Sequence, residues 1–252
     1  MGIGEFVPWK LKHQLKKVRD SILAIAYRGT GRYCPVCNKP SRKFAKAGTK
    51  KDAPRKDARC GHCGALERHR LVWLYLREKT DLFSGKPIKM LHVAPEPVFE
   101  RLMKHSLGSG YLTSDLYDPH AMVKMDVTYI QYPDGSFDVI YCSHVLQYVS
   151  DDKQAIREFF RVLKPDGWAI LLVPITADRT FEDSFLHNPY EHSGTSRTRD
   201  HVRRYGADYV ERLKEGGFKV RVIYPSDIMS EEDIMRMAIT SAAGAIYYCT
   251  KK

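Results

Sequence analysis

Short apolar runs alternate with amphipathic segments along the chain from residue 87 onward. The helical segments are "PVFERLMKHSL", "DKQAIREFFRVL" and "ADYVERLKEGG", and the strand-like runs between and around them are "IKMLHV", "GYLTSD", "AMVKMD", "FDVIYCSHV", "GWAILLVPI", "FKVRVIYP" and "AIYYCTK". Strands that alternate with helices predict βαβ units and a mostly parallel sheet, whose ligands bind beyond the carboxyl ends of the strands. We therefore expect an α/β domain over residues 81–252, with its chemistry in the loops that follow strands.

Residues 1–80 show a different pattern. The segment "ALERHRLVWLYLREK" predicts a helix, and the polar, basic stretch "NKPSRKFAKAGTKKDAPRKDA" before it predicts an exposed loop because Pro and Gly interrupt it. A basic amphipathic helix is predicted at the N-terminus, packed on the second domain or lying on a membrane or a partner. Its apolar positions are Leu11, Leu15, Val18, Ile22 and Ile25.

Charge supports the division into a unit of residues 1–80 and a domain of residues 81–252. The chain has 252 residues and a net charge of +11. Residues 1–80 hold 20 Lys and Arg against 6 Asp and Glu, a net +14, and the remainder holds 21 against 24, a net −3. A basic front unit fits an anionic partner such as nucleic acid, an acidic membrane surface or an acidic substrate, or else is a solvated surface that keeps the protein soluble.

Hydropathy predicts a cytoplasmic protein without a transmembrane segment. No apolar run approaches the ~18–20 residues that a spanning helix needs. The run "SILAIAY" near the N-terminus is too short for a secretory signal.

Four of the six cysteines form two C-x-x-C pairs in the basic unit. The pairs are "CPVC", with Cys34 and Cys37, and "CGHC", with Cys60 and Cys63, and 22 residues separate them. This spacing is typical of a four-cysteine zinc site, and disulfides fit poorly in a chain expected to be cytoplasmic. Four protein ligands leave zinc no open position, so its predicted role is structural. His62, between two of the ligands, is not expected to bind the metal.

Acidic and imidazole side chains follow successive strands of the predicted sheet. Asp115 closes the second strand, where a carboxylate can accept hydrogen bonds from the two ribose hydroxyls of a nucleotide-like ligand. Asp126 is expected at the end of the third strand, and His144 lies just beyond the fourth. These positions predict one binding site at the carboxyl edge of the sheet.

The strand and loop order, the segment "DGSFDVIYCSHVL" and the segment "FRVLKPDGWAILLVP" resemble those of class I S-adenosylmethionine-dependent methyltransferases over roughly residues 85–252. The two C-x-x-C pairs followed by "LERHRLVWLYL" resemble a subgroup of bacterial and archaeal methyltransferases. The resemblance implies a Rossmann-like, seven-stranded sheet whose last strand is antiparallel. It also implies that Asp115 holds the ribose and that the Asp126 side chain, with the Val127 backbone, meets the adenine edge.

The loop "KMLHVAPEP" after the first strand departs from the family's pattern. Members usually carry an acid inside this strand and a Gly-x-Gly after it, whereas this chain has His92 and Ala94-Pro95-Glu96. A glycine-rich loop serves a pyrophosphate, which S-adenosylmethionine lacks, and Glu96 can attract its ammonium group or favour a helix dipole. The residues predicted to bind the cofactor are Ala94, Pro95, Glu96, Asp115, Leu116, Asp126, Val127, Ser143 and His144.

The long polar segment of residues 176–205 is the expected cap over the transferred methyl group. His144 and His201 are the candidate general bases, with Asp200 beside His201, although a surface role is open for each histidine. Arg199, Arg203 and Arg204 either clamp an anionic substrate or are solvated. The run "HNPYEH" is similar to an adenine-methylation motif but follows the wrong strand, so we treat it as a coincidence.

Two functions remain open at this point. The first is methylation, preferably on oxygen, of a small polar or glycan-like acceptor, with the zinc unit shaping the site or joining subunits. The second is binding or methylation of RNA or DNA, with the basic zinc unit holding phosphates. Aromatic residues for base stacking are sparse between the cysteine pairs, so we expect only weak, nonspecific nucleic-acid binding.

Overall fold

The chain forms two compact units. The structure, a computed structural model, describes residues 22, 25–48, 54–182 and 201–251. The cysteine unit comprises the described residues up to Thr80 together with Pro225–Ala243, and the sheet unit comprises the described residues of Asp81–Tyr224 and of Gly244–Lys252. Among the described residues, no helix combines the length and apolar character that crossing a membrane requires.

The cysteine unit contains two small hairpins followed by a helix. Strands β1 (Arg32–Cys34) and β2 (Lys39–Ser41) pair antiparallel, as do β3 (Ala45–Ala47) and β4 (Arg55–Arg59), and helix α1 spans Glu67–Lys79. The predicted helix is confirmed. An exposed loop was predicted between the cysteine pairs, and this prediction was wrong for β2, β3 and β4. These strands form backbone pairings that the polar composition of the segment does not indicate.

Buried contacts hold the second hairpin. Phe44 is only 2% exposed, and its backbone N–H donates to Asp57 Oδ1 over 2.6 Å. Asp57 also forms an ion pair with Arg32 at 2.9 Å, which ties the two hairpins together. These contacts join residues far apart in sequence, so local polarity gave no sign of them.

The sheet unit is built on seven strands. Its elements in chain order are β5 (Met90–Val93), α2 (Pro97–Leu107), β6 (Tyr111–Asp115), β7 (Val123–Lys124), β8 (Phe137–Ser143), α3 (Asp152–Val162), β9 (Leu163–Leu172), β10 (Phe181–Glu182), β11 (Arg203–Arg204), α4 (Tyr209–Glu215), β12 (Lys219–Ile223) and β13 (Ile246–Thr250).

The spatial order of the sheet is β12-β13-β9-β8-β5-β6-β7, and β10 and β11 pair separately. Strands β7, β6, β5, β8 and β9 are parallel, whereas β13 runs antiparallel to both β9 and β12. The predicted α/β fold, a Rossmann-like sheet of seven strands with its last strand antiparallel, is therefore confirmed.

The core of the sheet unit follows from its parallel strands. All four residues of β5 are buried, and so is nearly all of β8, which explains their continuous apolar runs. Helix α2 buries Phe99 and Met103, and α4 buries Tyr209 and Leu213, in each case residues four apart on one helical face.

The segment Pro225–Ala243 differs from the expected domain division. The sequence analysis placed it in the domain of residues 81–252, but it groups with the cysteine unit. It contains helix α5 (Glu231–Arg236), and Met237, Ala238 and Ile239 after that helix are buried. The buried guanidinium of Arg70 donates to the carbonyl of Ala238 over 2.9 Å, a contact across 168 positions that no local pattern announces.

Candidate cofactor site and cysteine cluster

The candidate site lies at the carboxyl ends of β5, β6 and β8. Strand β5 is the point where the strand order reverses, since β6 pairs with one of its edges and β8 with the other. Ligands of open α/β sheets bind in the crevice at such a switch point. The loops that follow these three strands carry most of the residues predicted to bind the cofactor.

The loop after β5 takes a glycine-like backbone without a glycine. Ala94 has φ +50°, in the left-handed region, and its N–H donates to the carbonyl of Ser114 over 2.7 Å. Pro95 has no N–H, and Glu96 immediately precedes the first turn of α2. The Glu96 carboxylate accepts a hydrogen bond from Tyr141 at 2.9 Å, which fixes its direction.

Asp115 ends β6 and organises the loop behind it. Its Oδ1 accepts hydrogen bonds from the backbone N–H groups of Tyr117 at 2.7 Å and Asp118 at 2.8 Å. Among the described residues, none donates to Oδ2, so this oxygen is available to a ligand. Leu116, the next predicted contact, is half-buried.

Asp126 does not end a strand, because β7 stops at Lys124. Its Oδ1 accepts from the N–H of Thr128 at 2.9 Å and from the Thr128 hydroxyl at 2.7 Å. The side chain of Asp126 is exposed and that of Val127 is buried. Asp126 and Val127 therefore lie in a hydrogen-bonded turn beyond the third strand, and their contact with an adenine ring stays a prediction.

The loop after β8 supplies a second left-handed residue. His144 has φ +57°, its N–H donates to the carbonyl of Leu172 over 2.8 Å, and its own carbonyl accepts from the Gln147 side chain at 2.9 Å. The two left-handed residues, Ala94 and His144, thus each follow directly on a strand at the switch point.

Unpartnered buried hydroxyls at this edge fit a polar ligand. The Oγ atoms of Ser114 and Ser143 are buried without a hydrogen-bond partner in the described part of the chain. Ser114 lies on β6 opposite Val93 of β5, and Ser143 is the last residue of β8. Buried polar groups are normally satisfied, so these two atoms are suited to a ligand or water with polar atoms. Sequence reasoning singled out Ser143 and missed Ser114, whose only signal was its place one residue before Asp115.

The predicted acceptor residues are described only in part. Residues 183–200, which include Asp200, Arg199 and the "HNPYEH" run, lie outside the described residues. His201 Nε2 lies 3.2 Å from the hydroxyl of Tyr148, and the two rings are 4.9 Å apart edge to face. Val202, the next residue, donates its N–H to the carbonyl of Gln147 over 2.9 Å. The chain after residue 200 therefore lies against the turn that begins at His144.

The sequence analysis left two roles open for Arg203, a substrate clamp or a solvated residue. The structure shows neither, because the side chain is buried and bonded within the protein. Its side chain is 2% exposed and donates to the carbonyls of Val149 and Ser150 over 2.9 Å and to Glu182 over 2.7 Å. It also lies 3.3 Å from Asp152, which is 1% exposed. Arg203 therefore ties strand β11 to the start of α3, and its acidic partners, Asp152 and Glu182, lie too far away in the sequence to be found from a local pattern.

Asp152 is the centre of this buried network. It accepts two hydrogen bonds from Arg212 at 2.7 and 2.8 Å and one from the Tyr205 hydroxyl at 2.6 Å. Burial, followed by the charge of Asp152, raises the pKa of Tyr205 above its ordinary range, so this phenol stays protonated as a donor. Strand β11 and helix α4 are thereby anchored to the start of α3.

The four cysteines of the two C-x-x-C pairs come together as predicted. The sulfurs of Cys34 and Cys63 are 3.7 Å apart, those of Cys37 and Cys60 are 3.8 Å apart, and all four lie within 4.8 Å of one another. A tetrahedral site with Zn–S bonds of ~2.3 Å has edges of about 3.8 Å. All six cysteines of the chain are described and none is in a disulfide.

The electrostatics of the cluster also fit a cation. Four thiolates as close together as these sulfurs repel one another. A dication offsets this repulsion because it stabilises all four negative charges. The turn that carries Cys60 and Cys63 ends at Gly64, which has a φ of +78°. The N–H of Gly64 donates to the carbonyl of Cys60 over 2.9 Å.

The remaining two cysteines belong to the core. Cys142 and Cys249 are fully buried in β8 and β13, and burial raises the pKa of both thiols. A protonated, buried thiol is a poor nucleophile, so neither residue is a candidate for covalent chemistry.

Comparison with known proteins agrees with this geometry. Residues 103–171 match the model of a family described as a methyltransferase domain, a range that includes β6, β7, β8, α3 and most of β9. The match covers just over a quarter of the chain and lies within the sheet unit.

Individual relatives are distant or partial. YcgJ of Bacillus subtilis, described as an uncharacterized methyltransferase, is 35% identical over 74 residues, which are 29% of this chain and 28% of that protein. The match thus spans under a third of this curated relative. A crystallised S-adenosylmethionine-dependent methyltransferase from Mesorhizobium loti is 17% identical with a TM-score of 0.48 over 71% of this chain and 97% of that chain. The YcgJ crystal structure gives 19% identity and a TM-score of 0.39 over 70% and 93% of the two chains.

Proposed function

We propose that this protein is an S-adenosylmethionine-dependent methyltransferase that methylates a small polar or glycan-like acceptor, preferably on oxygen. The observation that carries the proposal is the pair of carboxylates, Glu96 and Asp115, that follow two adjacent strands at the switch point of a methyltransferase fold. The matched segment of residues 103–171 supports it, because that segment contains the strand ending at Asp115.

The chain offers a donor or acceptor for each end of the cofactor. Glu96 holds the ammonium group, since Tyr141 already orients its carboxylate. Asp115 holds the ribose hydroxyls through Oδ2, because Oδ1 is engaged by the loop backbone. Asp126 and the Val127 backbone face the adenine, and the hydroxyls of Ser114 and Ser143 gain partners.

The transfer step needs little chemistry from the protein. The bound cofactor supplies an electrophilic methyl group on a sulfonium. The chain's own task is to orient the acceptor hydroxyl and to accept its proton, for which His144 and His201 remain the candidate bases, with Asp200 beside the second. The Arg203 network supports this arrangement by fixing the segment that carries His201 against the turn that carries His144.

The cysteine unit is proposed to hold one structural zinc ion through Cys34, Cys37, Cys60 and Cys63. Support comes from the sulfur separations, which match the edges of a zinc tetrahedron. The binding free energy of a structural zinc ion is coupled to folding, so metal binding would contribute to the stability of the cysteine unit.

A second function is favoured by the surface of the hairpins. Lys39, Arg42, Lys43, Lys46 and Lys56 are all exposed, and no described acid contacts Lys46 or Lys56. Such a surface can bind the phosphates of RNA or DNA, with an affinity that falls steeply as salt rises. We rank it second because charge alone gives weak, sequence-independent binding.

The test is direct. Calorimetry should show binding of S-adenosylhomocysteine to the purified chain, and binding of NAD without it would overturn the cofactor assignment. Transfer of a radiolabelled methyl group to total RNA, to DNA and to a small-molecule extract then separates the two functions. Label in the small-molecule fraction supports the first, and label confined to RNA or DNA supports the second.

A further inference from the structure

A buried histidine lies directly beneath the loop after β5. His92 is 0% exposed in the central strand β5, where its register partners are Thr113 of β6 and Tyr141 of β8. Its ring is 5.0 Å from that of Tyr141 and 5.9 Å from that of Tyr111. A polar ring in such surroundings is costly unless its nitrogen atoms are hydrogen-bonded.

Both ring nitrogens of His92 have partners, and those partners define its protonation. Nε2 lies 3.3 Å from the backbone nitrogen of Glu96, and Nδ1 lies 2.8 Å from the hydroxyl of Tyr111. A backbone N–H can only donate, so Nε2 must be an unprotonated acceptor. The ring is therefore neutral, and its proton is on Nδ1, which donates to the oxygen of Tyr111.

The same hydrogen bond holds the cofactor loop. Of the three loop residues, Ala94 donates its N–H to Ser114, Pro95 has none, and Glu96 donates to His92. The N–H of Glu96, the last backbone donor of these three residues, is thus bound by the side chain of His92 from strand β5. Tyr141, whose ring meets that of His92 edge to face, also donates to the Glu96 carboxylate.

We propose that His92 is a positioning residue for the cofactor, whose Nε2 anchors the Glu96 backbone so that the Glu96 carboxylate meets the ammonium group. The proposal rests on the function proposed above. It gives a physical role to His92 and Ala94-Pro95-Glu96, which stand where the family usually has an acid in the first strand and a Gly-x-Gly after it. The loop is shaped by a side-chain acceptor and a left-handed alanine, which together replace the freedom of glycine.

Two substitutions separate the two ends of the imidazole. In His92→Gln the side-chain oxygen reaches the place of Nε2 and still accepts from Glu96, whereas in His92→Asn the shorter side chain reaches only the place of Nδ1. We expect S-adenosylhomocysteine affinity within about threefold of wild type for His92→Gln and about tenfold weaker for His92→Asn, the loss of one hydrogen bond. Tyr111→Phe removes the partner of Nδ1 and is expected to lower stability but to leave the affinity within about threefold.

Calorimetry on the full chain measures these affinities, and thermal unfolding of each variant reports its folding. Equal affinity for His92→Asn and wild type, or an equal loss for His92→Asn and Tyr111→Phe, would overturn the positioning role. The tautomer is an independent readout, since nitrogen-15 NMR of the histidines without cofactor should show His92 protonated on Nδ1 alone. Protonation on Nε2 contradicts the inference, whereas failure of the wild-type chain to bind S-adenosylhomocysteine contradicts the proposed function.

Discussion

Asp115 performs two tasks with two different oxygens, and substitution can separate them. Oδ1 accepts the N–H groups of Tyr117 and Asp118, which shapes the loop after β6, and Oδ2 is the atom proposed to bind the ribose. Asp115→Asn keeps the amide oxygen for both backbone bonds but removes the charge. Asp115→Ala removes both. The two variants should therefore agree in binding and differ in stability.

The magnitudes follow from the kinds of hydrogen bond. The lost charge-assisted bond to the ribose is worth about 1.5–3 kcal/mol, so both variants should bind S-adenosylhomocysteine roughly 10- to 150-fold more weakly. Asp115→Ala also loses two backbone bonds at an exposed turn, where water replaces part of each, and should unfold about 1–2 kcal/mol more easily. Asp115→Asn should unfold within about 0.5 kcal/mol of wild type.

Calorimetry with S-adenosylhomocysteine and urea unfolding at one temperature measure the two effects. Asp118→Asn is the matched control, because it removes the same charge from the same loop while its own turn, formed with the N–H of His120, is kept. We expect this control to bind within about twofold of wild type. Wild-type affinity in Asp115→Asn would refute the assignment of Oδ2 to the ribose, and equal stability of the Asn and Ala variants would refute the role of Oδ1.

Three further outcomes test other parts of the structure. The purified protein should contain one zinc ion per chain, and Cys60→Ser should unfold the cysteine unit while the sheet unit keeps its circular dichroism; protein without zinc and with oxidised cysteines would contradict this. Ala94→Gly should leave the free energy of unfolding within about 1 kcal/mol, whereas Ala94→Val should lower it by about 1–3 kcal/mol, because a β-branched residue is strained at positive φ. Arg203→Met should cost about 3 kcal/mol, since it breaks a buried ion pair, and the exposed neighbour variant Arg204→Met should cost under about 0.5 kcal/mol in the same urea titration.

Local patterns in the sequence were enough to predict the class of fold, and they also mark the strand ends at which the cofactor site is proposed. The alternation of strand and helix periodicity is a local signal. Parallel strands that are buried on both faces have continuous apolar sequences, so each strand can be recognised by itself. Strand ends mark the loops that carry ligands, so Asp115 and His144 could be selected without coordinates. The cysteine cluster was equally predictable, because each C-x-x-C turn presents two sulfurs through local geometry.

The partners of individual polar side chains, in contrast, depend on how the elements pack together. Arg203 lay in a polar segment that suggested substrate binding, but its partners Asp152 and Glu182 are supplied by other elements, and its burial is a property of the packed chain. The same holds for His92, whose partners Tyr111 and Glu96 come from the next strand and the following loop. The segment Pro225–Ala243 groups with the cysteine unit for a similar reason, since Ala238 accepts a hydrogen bond from Arg70, a residue distant in the sequence. A hydrogen bond between residues far apart in the chain depends on which elements become neighbours, and periodicity, which describes one element at a time, does not contain that information.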